Sequence, residues 1–106
     1  MAIYNTAITA TSEGSSDKLE SGTGVRAITT IIVCNTTNTD KTLTLYAVPT
    51  PGTTASSSNM IVNALNVPAG DTVSFDQEKM VLGTSDQVRA ICSASGLTAT
   101  VSTLLV

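Results

Sequence analysis

Asp71, Asp76 and Glu78 put three carboxylates within eight positions of one another, and clustered hard oxygen ligands would suit a calcium ion. Their setting favours turn chemistry instead. Asp71 follows Pro68–Ala69–Gly70, Asp76 closes an alternating segment, and EF-hand spacing is missing. A carboxylate pair for glycoside hydrolysis would want a groove with aromatic platforms, and the aromatics are only Tyr4, Tyr46 and Phe75. Serine and threonine are plentiful, but the chain has no histidine to act as a base. A Ser–Lys dyad would need Lys18, Lys41 or Lys79 partly buried, and each has polar neighbours. Cys34 and Cys92 also lack a histidine partner, so a catalytic thiol is not expected. Gly22–Thr23–Gly24 is too short for a phosphate loop and opens no helix. These residues predict no enzyme, no metal site and no cofactor.

The chemistry-bearing types are sparse because the chain is built for strands. Of 106 residues, 31 are serine or threonine and 12% are charged, about half the usual ~25%. Threonine favours strands and serine favours turns. The central stretch, residues 26 to 49, reads RAITTIIVCNTTNTDKTLTLYAVP. It predicts two strands forming a hairpin through a polar turn. MIVNALNV over 60–67 predicts another strand, stopped by Pro68–Ala69–Gly70–Asp71. Short strands follow at 72–75 and 79–82, then an alternating strand over 87–94. Ser95–Gly96 fits a tight hairpin turn into a last strand from Leu97. The sum is an all-β, single-domain antiparallel β-sandwich, jelly-roll or immunoglobulin-like, with 7–8 strands. Residues 1–25 read as an N-terminal arm and flexible loop, in which Ala2 to Ala10 fits a strand or an extended arm, and 26–106 as the sandwich. The expected core is Ile28, Ile32, Cys34, Leu43, Leu45, Ile61, Leu65, Val73, Phe75, Val88, Ala90, Cys92, Ala99 and Val101.

Net charge is −3, and the five basic residues are scattered, which argues against nucleic-acid binding. No apolar run reaches the length of a membrane span, and the N-terminus lacks a signal-like basic and apolar pattern. Cys34 and Cys92 could bridge the sheets as in an immunoglobulin staple. Without the usual tryptophan or a secretory signal, buried free thiols fit better.

The placed segments resemble small β-rich virion structural proteins of tailed bacteriophages, capsid decoration (cement) proteins among them. The resemblance covers residues 26 to 104. It rests on the strand ending in Cys34–Asn35, the Thr-rich passage to Leu45–Tyr46–Ala47–Val48–Pro49, and the Ala69–Gly70–Asp71 turn. Glu78–Lys79–Met80–Val81–Leu82 and the closing Thr98–Ala99–Thr100–Val101 complete it. It implies a non-enzymatic subunit assembled in the host cytoplasm and placed on the capsid surface, with the major capsid protein or other virion proteins as partners. A tail, neck or baseplate component is the alternative within this class. A glycan or cell-surface binding module is the alternative outside it, and the few aromatics count against that. The resemblance carries over no active site.

Three apolar triplets would place apolar side chains on both faces of their strands: Ile31–Ile32–Val33, Met60–Ile61–Val62 and Leu104–Leu105–Val106. The expected consequence is an exposed patch of Ile31, Val33, Met60, Val62 and Leu104, covered by other copies. A homo-oligomer follows, with a trimer suggested by the threefold positions of shell lattices. The competing expectation is that loops 11–24 and 49–59 cover these residues within one subunit.

Overall fold

A computed structural model describes residues 2–20, 24–49, 54–75 and 80–105. Among these residues, nine strands form two antiparallel sheets packed as a β-sandwich. The strands are β1 (Ala2–Ile8), β2 (Asp17–Lys18), β3 (Arg26–Asn35), β4 (Lys41–Val48) and β5 (Met60–Val67). They continue with β6 (Thr72–Phe75), β7 (Met80–Leu82), β8 (Gln87–Cys92) and β9 (Leu97–Leu105). The five-stranded sheet runs β1-β9-β3-β6, with β7 also paired to β3; the four-stranded sheet runs β2-β8-β4-β5.

The central stretch is not a hairpin. β3 belongs to the five-stranded sheet and β4 to the four-stranded one, so residues 36–40 arch between layers. Asn35, fully buried, sets the arch. Its amide donates to the carbonyls of Thr39 (2.8 Å) and Val67 (2.9 Å), and its Oδ1 accepts from Thr37 N and Oγ1. All the hydrogen-bonding capacity of the side chain goes into one crossing. The Ser95–Gly96 turn likewise joins β8 to β9 across the layers. The two arches touch where Thr36 N donates to Gly96 O at 3.0 Å.

The N-terminal segment is part of the sandwich rather than an arm. β1 pairs with β9 along its whole length, from Ala2↔Thr103 to Ile8↔Leu97. Ile8 and Leu19 lie in the main core, and Leu19 N donates to Val88 O. That core holds Ile28, Ile31, Val33, Leu43, Leu45, Val67, Val88, Ala90, Leu97, Ala99 and Val101 among others. Of the expected core, Ile32, Ile61 and Leu65 are exposed and Cys34 is half-buried; Val73 and Phe75 are partly buried against it.

Bulges explain the inversions. The β3–β9 register slips between Ile28 and Thr30, so Thr29 is an extra residue. Past it, side-chain parity reverses: Ile28 points inward, and so do Ile31 and Val33. In β5, Leu65 pairs with Leu43, but Val62 pairs with Leu45 and Met60 with Tyr46. Extra residues therefore sit near Asn63–Ala64 and at Ile61; Ala64 has a φ of 50°.

Candidate interaction surface

The structure disperses the five residues expected to form an exposed patch. Ile31 and Val33 are in the main core, at 2% and 0% exposure, because of the Thr29 bulge. Val62 packs against the same core. Met60 joins a second cluster with Tyr46, Val48, Ala55 and Ile91 on the outer side of the four-stranded sheet. Local segments lie over that cluster: Tyr46 Oη donates to Glu13 Oε2 at 3.0 Å, and Arg89 Nε donates to Ser16 Oγ at 2.9 Å. Arg89 Nη2 donates to the Ser16 carbonyl as well. Loop cover within one subunit thus accounts for Met60. Leu104 alone of the five is exposed.

The outer face of the five-stranded sheet is the alternative surface, and its register can be read row by row. At one end Leu104, Ala27 and Val81 are direct cross-strand neighbours on β9, β3 and β7. Ile3 on β1 sits beside Ser102, diagonal to Leu104 and within side-chain reach. Val25, exposed, immediately precedes the inward-facing Arg26 at the start of β3. The next rows turn polar: Ser102 beside Thr30, then Asn5–Thr100–Ile32–Ser74, then Ala7–Thr98–Cys34–Thr72. Thr100 Oγ1 donates to Asn5 Oδ1 at 2.9 Å. Among the described residues, this face carries no charged side chain. That is unusual for a solvated sheet face, whereas the cores of interfaces are depleted of Lys, Glu and Asp.

The charged groups are engaged elsewhere. Asp17 accepts from the backbone of Thr9 and Ala10, Asp40 from Ala69, Asp71 from Thr72, and Asp86 from Gly83. These are turn and loop contacts, including the one read from sequence at Asp71. Among the described residues no group of three His, Cys, Asp or Glu side chains gathers; Asp76, Glu78 and Lys79 lie outside those residues. Lys41 Nζ is exposed on Thr39 Oγ1, and Lys18 is exposed. Gly22 and Thr23 also lie outside the described residues.

One ion pair is buried beneath the apolar end of the face. Arg26 Nε and Nη2 donate to Glu20 Oε2 and Oε1 at 2.8 and 2.6 Å, with side chains 1% and 0% exposed. The remaining guanidinium donors reach the carbonyls of Gly24, Gly83 and Asp86 at 2.9 to 3.1 Å. The hydrogen bonds with Glu20 push Arg26 further above its usual pKa. This knot ties the segments that present Val25 and Val81 to one point.

Both cysteines are free. Cys34 lies on the outer face and Cys92 in the interior, so the β3 backbone separates them. Burial pushes the Cys92 thiol up, and its Sγ lies 3.4 Å from the carbonyls of Ile8 and Ala10. An apolar cleft of about 340 Å³ opens among Ile31, Leu45, Ile61, Val62, Phe75 and Met80. Those six side chains offer no polar group to orient a ligand.

Sequence reading missed Ile3, Val25, Val81 and Leu105 as surface residues, at 68%, 45%, 65% and 68% exposure. The available signal was charge: AIYNTAI and LTATVSTLL contain no charged residue. Among the described residues, no helix is long and apolar enough to cross a membrane. No family model, curated protein or solved structure matches the chain.

Proposed function

We propose that this chain is a non-enzymatic structural protein of a bacteriophage particle, a decoration protein on the outer surface of the capsid shell. The sequence resemblance motivates the class. The observation that carries it is the broad sheet face that bears no charge among the described residues, apolar at one end and hydroxyl-rich at the other. Such a face binds by excluding water over an area. The major capsid protein is the expected partner, and the subunit would join the particle in the host cytoplasm. Association between copies belongs to this reading. The trimer now rests on the threefold positions of a shell alone, since four of the five residues offered as its interface are buried or partly covered within the subunit. A tail, neck or baseplate part would use the same face.

The test is direct. Purified particles are analysed by mass spectrometry, and the protein is located on them by image reconstruction. Density on the outer shell supports the proposal. Density on the tail moves the protein to the alternative, and absence from the particle refutes the virion class.

A further inference from the structure

We propose that two copies of this chain pack outer face to outer face through the five-stranded sheet, about a twofold axis. This goes beyond the virion reading: a face closed by a second copy is not free to bind the shell, so the two readings compete for it and can fail separately. Four of the eight exposed large hydrophobics among the described residues gather at one end of that outer face: Ile3, Val25, Val81 and Leu104. From their fractional exposures they leave roughly 400 Å² of side chain bare, the size of the largest apolar patch on many monomers, where such patches are often functional.

Area and charge together select the occupant. A stable pair needs about 800 Å² buried on each partner, of which the apolar share at the core is about two-thirds. The four residues supply roughly half of that area, and Ile32 with the hydroxyl-rich rows supplies the rest. The molecule measures 38 × 27 × 20 Å, so its broad side is large enough to hold the contact. A partner recognised by opposite charge would call for charged groups on this face, and the described residues place none there. A second copy meets the same surface, uncharged among the described residues, without like-charge contact. A patch that meets itself is isologous, which gives a twofold axis. Sheets packed this way lie ~10 Å apart with their side chains interleaved.

Edge pairing is less suited at four of the five edge strands; β1, seven residues long and uncharged, is the edge that remains open to it, and a dimer formed there would be untouched by changes on the outer face. β2, β6 and β7 are two to four residues long, too short to template a long pairing. β5 is an uncharged edge, but its bulges break the ladder.

The experiment is sedimentation velocity on the full chain over the micromolar range, with Leu104→Lys and Val81→Lys beside the wild type. Both side chains are exposed, so the variants should fold, and circular dichroism checks that. The expected result is a wild-type dimer that each substitution weakens by ~100-fold, since a lysine is then buried twice per pair. A wild-type monomer overturns the proposal. If Leu104→Lys also prevents attachment to particles, the shell rather than a second copy takes the face. A dimer untouched by both substitutions, or a trimer, overturns it equally. A dimer that these substitutions dissociate, but that is absent from particles, would refute the virion reading and leave this contact standing.

Discussion

Replacing Arg26 with methionine keeps much of the apolar stem and removes every donor. The structure sets the magnitude. The Glu20 carboxylate, fully buried, loses both hydrogen bonds of the ion pair. The carbonyls of Gly24, Gly83 and Asp86 lose theirs too. Removing one member of a buried pair costs ~3–5 kcal/mol. The carbonyls are nearer the surface, and water can replace part of what they lose, so they add about 1 kcal/mol together. The expected total, ~4–6 kcal/mol, is a large share of the 5–15 kcal/mol typical of a domain. Arg26→Met with Glu20→Leu leaves no buried charge. The double variant should regain about 2 kcal/mol over Arg26→Met alone, because the pair's worth is mostly the cost of unpairing it. Urea unfolding of the wild type, both single variants and the double variant closes the cycle. A loss below about 1 kcal/mol for Arg26→Met, or a double variant no more stable than that single one, would refute the reasoning.

Gly96 has φ +136°, and a Cβ there would stand 2.4 Å from Thr37 Cγ2. Gly96→Ala should cost ~2–4 kcal/mol from backbone strain plus overlap. In a Thr37→Ser background, which removes the methyl and keeps the hydroxyl, the cost should fall by about 1–2 kcal/mol; equal costs in both backgrounds would exclude the contact. Tyr46 is fully buried, and desolvation, with the hydrogen bond to Glu13 second, pushes its pKa from 10.0 to about 12. The folded state holds this proton more tightly, so the contribution is complete below pH 10 and is lost as pH rises towards 12. The loss should be ~2–3 kcal/mol, read as an unfolding free energy that falls over that window and flattens in Tyr46→Phe. An unchanged slope in the variant would assign the alkaline loss to other groups.

The strands themselves were legible because alternation and turn residues report local structure. Their partners were not. A hairpin and an arch have the same sequence signature, two apolar runs around a polar turn. What separates them at residues 36–40 is the Asn35 side chain, whose partners Thr39 and Val67 include one 32 positions away. Whether the N-terminal segment is a strand or an extended arm was not legible for a related reason. Ala2–Ile8 is an edge strand with a single ladder, and it buries only Ile8 fully, so its pattern is weak. Leu19 was visible as a lone apolar residue in a polar stretch, but its place in the core depends on β2 meeting β8.

The surface was misplaced by one residue, and the cause is physical. Period-2 reasoning carries a face assignment along a strand only while the ladder is unbroken. Thr29 adds a residue to β3, so fixing Ile28 inward gives the wrong answer for every position after it. Composition is immune to that slip. β1 and β9 contain no charge at any position, so whichever way their side chains alternate, the outward set is uncharged. On β3 the one charged residue, Arg26, is committed to the interior by Glu20 and three carbonyls. The buried ion pair and the bare face are therefore linked. Turning Arg26 inward leaves the end of β3 to Val25 and Ala27 on the outside, between Leu104 and Val81. A sequence that needed this face merely solvated could have placed a lysine at any of those four exposed or half-buried positions at little cost in stability. Its absence from all four fits the contact proposed between copies, because interface cores are depleted of lysine.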